Sequence, residues 1–183
     1  MGNIFDLGVI IGRFQTFHKG HKQIIETACS MCNRVGVLIG SAQEFGTFKN
    51  PFTFEKRKQV LQEICGPKLE IYPLKDIGVG NTSEWGEYVI QKIVEYFGKR
   101  PDVLISGKEE RRINWFEGEI GDGIAEVFLP KTIEISATTL RNYLINDERE
   151  KWEKYVPEEM HMEYTVMRQL MLAARDNIFS ASV

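Results

Sequence analysis

The chain has 183 residues, of which 43% are hydrophobic and 27% charged, and its formal net charge is −3. This length and apolar share suit one domain with a single core, and the negative charge excludes a general attraction for nucleic acid. There is no apolar run of membrane-spanning length, no signal-peptide pattern at residues 1–6, and an odd count of three cysteines. We therefore expect a cytoplasmic protein that binds neither membranes nor nucleic acid.

Short apolar runs and helix-period patterns alternate along the chain. The predicted strands are residues 7–13, 35–39, 69–74, 103–105 and 125–128, and the predicted helices are about 20–33, 54–65, 84–97, 137–146 and 157–175. Thr53 and Ser83 are suited to cap two of these helices, and Pro157 suits a first helical turn. Repeated strand–helix units predict an α/β fold, a Rossmann-like doubly wound parallel sheet with flanking helices and a C-terminal helical segment.

No linker or repeat divides the chain. We therefore predict a single domain over residues 1–183, with its core at about 7–146 and its C-terminal helical segment at about 151–177. Ligands of doubly wound sheets bind beyond the carboxyl ends of the strands. Gly40, Asp76 and Ser106 stand at such ends, so we expect the functional site there.

The segment from Gly12 to His21, G-R-F-Q-T-F-H-K-G-H, joins the first predicted strand to the first predicted helix. A helix start offers free backbone N–H groups and the positive end of the helix dipole, and both suit a phosphate. His18 and His21 lie at this start, where an imidazolium adds further donors. The segment therefore predicts a site that handles phosphate.

Other interpretations of this segment fit less well. The chain has neither a G-x-x-x-x-G-K-[ST] loop nor a G-x-G-x-x-G fingerprint, and the zinc motif H-E-x-x-H has a different spacing from H-x-G-H. The two histidines alone are compatible with simple helix capping. The G-R-F-Q directly before them, at a strand-to-helix junction, favours a functional site over that alternative.

The segment resembles the first signature of the H-x-G-H nucleotidyltransferases, and most closely that of the archaeal-type nicotinamide mononucleotide adenylyltransferases. G-S-A-Q at Gly40–Gln43, followed by K-N-P-F-T at Lys49–Thr53, is similar to the next signature. I-S-A-T-T-L-R at Ile135–Arg141 is similar to the last one, and the order along the chain is the family's. Thr16 stands where the family usually has proline, a change that loosens the turn.

The resemblance implies transfer of an adenylyl group from ATP to nicotinamide mononucleotide, giving NAD and pyrophosphate, with Mg²⁺ held mainly by phosphates and water. The catalytic residues that it implies are His18, His21, Arg13 and Arg141. Those implied for ATP are Gly12, Phe14, Lys49, Ser136, Thr138 and Thr139. Those implied for the nicotinamide nucleotide are Gly40, Ser41, Gln43, Asp76, Ile77, Asn81 and Trp85. A homo-oligomer is also expected.

Several alternatives stay open at this point. One alternative is a related transferase whose acceptor is phosphopantetheine or riboflavin phosphate. Another is a non-catalytic module that binds adenylates without turnover. Trp85 is also placed to pack in the core, as aromatic residues at helical spacing commonly do. Cys29-x-x-Cys32 within the first predicted helix suits core packing better than redox chemistry. Residues 108–112 suit either a phosphate loop or a solvated face, and His161 suits a structural role or an oligomer contact.

Overall fold

The sheet of this protein has five strands. A computed structural model describes residues 2–107, 115–116 and 118–180 of the chain. The strands in these ranges are β1 (Phe5–Gly12), β2 (Cys32–Ile39), β3 (Leu69–Pro73), β4 (Val103–Ser106) and β5 (Ala125–Phe128). Their order across the sheet is β3-β2-β1-β4-β5 and every neighbouring pair is parallel. The predicted doubly wound parallel sheet is thereby confirmed.

The strand order reverses beside β1. Chain order runs outward from β1 to β2 and β3 on one side, and β4 and β5 lie on the other side. In the register of the sheet, Ile10 of β1 is opposite Val37 of β2 and Ile105 of β4. The loops that leave β1 and β4 therefore diverge at their carboxyl ends and leave a crevice at this switch point.

Six α-helices flank the sheet in the described ranges. They are α1 (Lys19–Met31), α2 (Phe54–Cys65), α3 (Ser83–Phe97), α4 (Ala137–Ile145), α5 (Arg149–Tyr155) and α6 (Tyr164–Ser180). Short 3₁₀ helices occupy Gly118–Gly121 and Glu158–Glu163. None of the helices described combines the length and apolar composition needed to cross a membrane.

Side-chain caps set the starts of these helices. Thr53 caps α2 as predicted, since its side chain accepts the N–H of Lys56 at 3.2 Å. The prediction that Ser83 caps α3 is wrong, because Ser83 is already helical. Thr82 has the extended backbone of a cap, and its hydroxyl accepts the N–H of Trp85 at 3.4 Å.

The first helix is shorter than predicted. It ends at Met31, and Cys32 has extended backbone angles (φ −121°, ψ 143°) and opens β2, so the Cys29-x-x-Cys32 pair does not lie within one helix. Cys32 is buried in the core, where desolvation raises the pKa of its thiol to about 11, whereas Cys29 is exposed on α1. Cys32 therefore has the packing role that the sequence favoured.

The single helix predicted for residues 157–175 is wrong in its first part. Pro157 has an extended ψ of 149° and precedes a 3₁₀ helix, and α6 begins only at Tyr164. Backbone hydrogen bonds three residues apart, from the N–H of Met160 to the Pro157 carbonyl and from the N–H of Tyr164 to the His161 carbonyl, form the tighter 3₁₀ turns. The sequence did not reveal this, because the buried residues keep α-helical three-and-four spacing throughout, at Pro157, Met160, Tyr164, Met167, Met171 and Ala174.

Apolar residues are buried on both faces of the sheet. Leu7 and Val9 of β1 pack with Val89 and Ile93 of α3 on one face. On the other face, Ile10 belongs to a cluster that extends through α1 and α2 to the C-terminal helices, whose contributions include Trp152, Met160 and Met167. The C-terminal helices thus share the core of the sheet. Their docking positions α4 at the carboxyl edge of the sheet.

Candidate active site

A cavity of about 580 Å³ opens at the carboxyl ends of β1, β2 and β4. Most of the residues that the sequence singled out lie on its wall. Those that line it are Gly12, Arg13, Phe14, His18, His21, Gly40, Ser41, Asp76, Asn81, Trp85, Thr138 and Arg141. The structure therefore brings together three signatures, of which the first and the last are more than 100 residues apart in the sequence.

Three of the residues predicted to bind ATP do not line the cavity. Lys49 is exposed in the loop after β2 and does not line the cavity. Ser136 is the N-cap of α4, where its hydroxyl accepts the N–H of Thr139 at 3.1 Å and lies 2.8 Å from the Thr139 hydroxyl. Ser136 and Thr139 therefore order the start of α4, while the adjacent Thr138 lines the cavity.

Two of the residues predicted to bind the nicotinamide nucleotide, Gln43 and Ile77, also lie outside the cavity wall. The Gln43 amide donates to the Asp76 carbonyl at 2.9 Å and accepts the Asp76 N–H at 3.1 Å. This pair of bonds joins the loops after β2 and β3 and fixes the backbone of Asp76, which does line the cavity. Ile77 is exposed beside it.

His18 and His21 form the wall at the start of α1. His18 is the N-cap of this helix, and its Nδ1 accepts the backbone N–H of His21 at 3.4 Å. The two rings are stacked with centroids 3.7 Å apart, and the ring of Phe14 lies 4.9 Å from that of His21. Because Nδ1 of His18 accepts a bond, the proton of the neutral ring is on Nε2.

Burial keeps both imidazoles neutral. Desolvation, with a smaller contribution from the charge of Lys131, lowers the pKa of His18 to about 4. Desolvation, with a smaller contribution from His18, lowers the pKa of His21 well below its ordinary value. The expected imidazolium is therefore absent near neutral pH before an anion binds. Each neutral ring still offers one N–H donor, and a phosphate beside the rings would raise both pKa values.

The low pKa of His18 makes stability depend on pH. His18 binds a proton near its ordinary pKa of 6.5 in the unfolded chain but only near 4 in the folded one, so its contribution to the free energy of unfolding is present above pH 6.5 and is lost toward pH 4. Between pH 7 and 5, His18 alone is expected to remove about 2 kcal/mol from the free energy of unfolding. Urea titrations at both pH values should show a smaller loss in His18→Gln than in the parent. Equal losses would contradict the shifted pKa.

Arg141 is a buried cation that also lines the cavity. It is 6% exposed, its Nη1 donates to the Gln15 carbonyl, and its Nη2 donates to the Thr138 hydroxyl at 2.9 Å. Its Nε has no hydrogen-bond partner, and no carboxylate within the described ranges forms an ion pair with it. Burial and the charge of Arg13 lower its pKa. A buried cation without a counter-ion at a cavity wall is suited to an anionic ligand.

Aromatic and amide groups form the far side of the cavity. Trp85 lies in the first turn of α3, and the ring of Trp115 meets it edge-on with centroids 5.9 Å apart. The indole N–H of Trp115 donates to the side-chain oxygen of Asn81 at 3.2 Å. Gly86 allows this approach, because a Cβ there would lie 1.6 Å from the Trp115 carbonyl oxygen. Trp85 thus lies on the cavity wall and also packs against a neighbouring ring.

Several residues of the cavity could not be recognised from the sequence. Trp115 and Lys131 line it but lie outside any signature, in connections on either side of β5. Gln15 is part of a signature, but its side chain also exchanges two hydrogen bonds with the backbone of Phe52, at 2.9 and 3.0 Å. The K-N-P-F-T sequence supplied no signal for this contact. The charged segment 108–112 lies outside the described residues.

Known proteins resemble this chain in sequence and in fold. A family model described as cytidylyltransferase-like matches residues 9–143. A nicotinamide-nucleotide adenylyltransferase of Thermococcus kodakarensis is 31% identical over 82% of this chain and 77% of its own length. The enzyme of the same name from Thermococcus onnurineus is 34% identical over 84% of this chain and 79% of its own length.

Among solved structures, a bifunctional NMN adenylyltransferase/ADP ribose pyrophosphatase from Francisella tularensis, complexed with AMP and a manganese ion, superposes with a TM-score of 0.71. Its sequence identity is 22%, and the match covers 92% of this chain but 52% of that one, so the chain spans about half of its length. This likeness concerns the fold. From the family model and the two Thermococcus relatives, the chain belongs to the cytidylyltransferase-like family and, within it, to the nicotinamide-nucleotide adenylyltransferases.

Proposed function

We propose that the protein transfers the adenylyl group of ATP to the 5′-phosphate of nicotinamide mononucleotide, forming NAD and pyrophosphate. The observation that carries this proposal is the composition of the one cavity described above. Its near wall has His18, His21 and Arg141, which are donors for phosphate oxygens, and its far wall has Asp76 and Trp85. Two nucleotides bound on these walls would meet with their phosphates between them. The names of the Thermococcus relatives support the same reaction.

The chemistry of this reaction matches the groups that are present. The attacking oxygen belongs to a phosphate that is already ionised, so no strong general base is needed. The enzyme has to bring two anions in line and to stabilise the charge on the α-phosphate and on the departing pyrophosphate. Neutral imidazole N–H groups and guanidinium groups do this without taking a proton from the acceptor.

Each donor has a position consistent with a role toward ATP. His18, Gly20 and His21 at the start of α1 line the cavity, and the donors of this helix start suit the phosphate chain. Thr138 and Arg141 of α4 line the same cavity and suit the pyrophosphate end. Arg13 is exposed and lines the cavity, whereas the side chain of Lys49, which does not line it, would have to move to reach a phosphate.

The far wall is suited to the nicotinamide nucleotide. The flat face of an indole attracts a cationic pyridinium ring, and partial burial strengthens that attraction. Asp76 and the amide of Asn81 supply polar groups for the sugar and the carboxamide. The Trp85 face is the part of this wall that most directly favours a nicotinamide over a neutral ring.

Mg²⁺ is the metal that we propose to accompany ATP. Within the described residues there is no cluster of three or more histidine, cysteine or acidic side chains, and Asp76 is the acidic residue on the cavity wall. This donor set fits an ion that keeps its phosphate and water ligands, as Mg²⁺ does. Bound in that way, the metal would neutralise part of the phosphate charge. We further propose a cytoplasmic homo-oligomer whose ligands are these small molecules.

A panel of acceptors tests the proposed substrates. The purified protein is incubated with Mg²⁺, either ATP or CTP, and nicotinamide mononucleotide, nicotinic acid mononucleotide, phosphopantetheine or riboflavin phosphate, and pyrophosphate release is measured. We expect release with ATP and nicotinamide mononucleotide above that with phosphopantetheine or riboflavin phosphate. Pyrophosphate release only with phosphopantetheine or only with riboflavin phosphate would show that the protein is a different transferase of the family. ATP binding without release for any acceptor would favour the non-catalytic module.

A further inference from the structure

Arg57 is a buried arginine that lies outside the signatures implied for catalysis. It belongs to α2 and is 3% exposed. Within the residues that the structure describes, its guanidinium donates to four backbone carbonyls and to no side chain: Nε to Thr53 at 3.2 Å, Nη1 to Arg13 at 2.9 Å and to Gly40 at 2.8 Å, and Nη2 to Ser41 at 3.2 Å. A planar guanidinium can serve several acceptors at once, which a lysine ammonium cannot do in the same geometry.

Three of these carbonyls belong to two of the loops that line the cavity. Arg13 follows the end of β1, and Gly40 and Ser41 follow the end of β2. All three residues line the cavity. Arg57 therefore reaches from behind the site and joins the two loops between which a substrate phosphate would lie.

The backbone at these positions needs such a restraint. Ser41 has a φ of 46° and Phe14, next to Arg13, has a φ of 52°. Both are left-handed conformations, which cost energy for residues other than glycine and persist only where surrounding contacts hold them. The bond from Nη2 to the Ser41 carbonyl is one of those contacts.

The charge of Arg57 has no acidic partner at close range. Within the described part of the chain it forms no ion pair, and Glu44 and Glu55 act on it only as more distant charges. Burying an arginine that is paired only with backbone carbonyls costs free energy, so the stability of the fold does not explain why it lies here. The arrangement instead serves the geometry of the loops.

We propose that Arg57 is a positioning residue for adenylyl transfer, which holds Arg13, Gly40 and Ser41 in the arrangement that aligns the two substrate phosphates. This inference rests on the proposed function. Arg57 acts through the backbone and does not itself contact substrate. A displacement of about 1 Å in such a site can cost on the order of 10²-fold in rate.

Two substitutions and one control separate positioning from stability. Arg57→Lys keeps the charge but cannot span the three loop carbonyls, and Arg57→Gln keeps amide donors without the charge. Val60→Ala, on the same helix and 3% exposed in the parent, removes core packing but keeps Arg57 and the carbonyls that it bonds. The kcat and KM values for NAD formation are measured for all four proteins well below the melting temperature of each.

We expect kcat to fall by about 10- to 100-fold in both Arg57 variants, with KM for each substrate changed by no more than about threefold. Val60→Ala should melt at a lower temperature and keep the parental kcat. A parental kcat in folded Arg57→Lys and Arg57→Gln would overturn the proposal. So would a loss of kcat in Val60→Ala in proportion to its loss of melting temperature.

Hydrogen exchange supplies a readout that does not depend on activity. The amides of Gly40 and Ala42 donate to the carbonyls of Gly12 and Leu74 at 2.9 and 3.1 Å, and both are expected to exchange faster in the Arg57 variants than in the parent or in Val60→Ala. Unchanged exchange would overturn the proposal. If the parent itself forms no NAD, the proposed function fails, and the exchange rates still decide whether Arg57 restrains these loops.

Discussion

Replacing His18 or His21 by alanine is expected to lower kcat by on the order of 10²-fold or more, with little change in the affinity for nicotinamide mononucleotide. Each ring offers an N–H donor to the region that the ATP phosphates would occupy. The charge on those oxygens grows in the transition state, so the lost donor weakens the transition state more than the ground state. Steady-state kinetics and calorimetric binding of the acceptor measure the two effects separately.

The third histidine of the chain is a matched control. His161 lies outside the cavity wall, and its Nε2 is 3.2 Å from the Glu153 carbonyl oxygen. His161→Ala should leave kcat unchanged. His18→Ala also removes the cap of α1, so its helical content and melting temperature are compared with those of His21→Ala. Parental turnover in both His18→Ala and His21→Ala would show that the two histidines serve only helix capping and packing.

Arg141→Lys is expected to remove most of the ATP-dependent turnover while the fold and acceptor binding are kept. Lysine keeps the charge, but it cannot hold the Gln15 carbonyl and the Thr138 hydroxyl and still present a planar fork to the cavity. We expect a loss on the order of 10²-fold in kcat. Added pyrophosphate should also inhibit the variant less than the parent, because the lost contact is to the pyrophosphate end.

A surface arginine provides the control for this substitution. Arg34 of β2 makes two bonds of 2.9 Å to the Glu70 carboxylate and does not line the cavity. Arg34→Lys should keep the parental turnover and the parental inhibition by pyrophosphate. Unchanged turnover and inhibition in Arg141→Lys would remove Arg141 from the proposed pyrophosphate site.

The fold was accessible to sequence analysis because its signals are local. Apolar runs mark the strands, and Thr53 marks the start of α2. The errors occur where tertiary packing, and not the local sequence, determines the secondary structure. Cys32 is extended because it belongs to β2, and α5 was missed because seven residues with one buried side chain, Trp152, leave no helical period to recognise.

The candidate site was accessible only in part. The signatures predicted His18 and Arg141, and the structure places both on one cavity wall. Their electrostatic state was not predictable, since the neutral form of His18 results from burial that no local pattern reveals. The contacts of Arg57 likewise join residues 16 to 44 positions away, and a charged residue in a helical pattern gives no sign that it is buried.

In the proposed reaction the α-phosphate of ATP, with its adenosine, moves to nicotinamide mononucleotide. Isotope labelling follows this transfer: the purified protein is incubated with Mg²⁺, nicotinamide mononucleotide and ATP labelled at either the α- or the γ-phosphate, and the products are separated. We expect the α-label in NAD and the γ-label in pyrophosphate, in equal amounts. An α-label found only in AMP or ADP, or a γ-label carried by the acceptor, would contradict it.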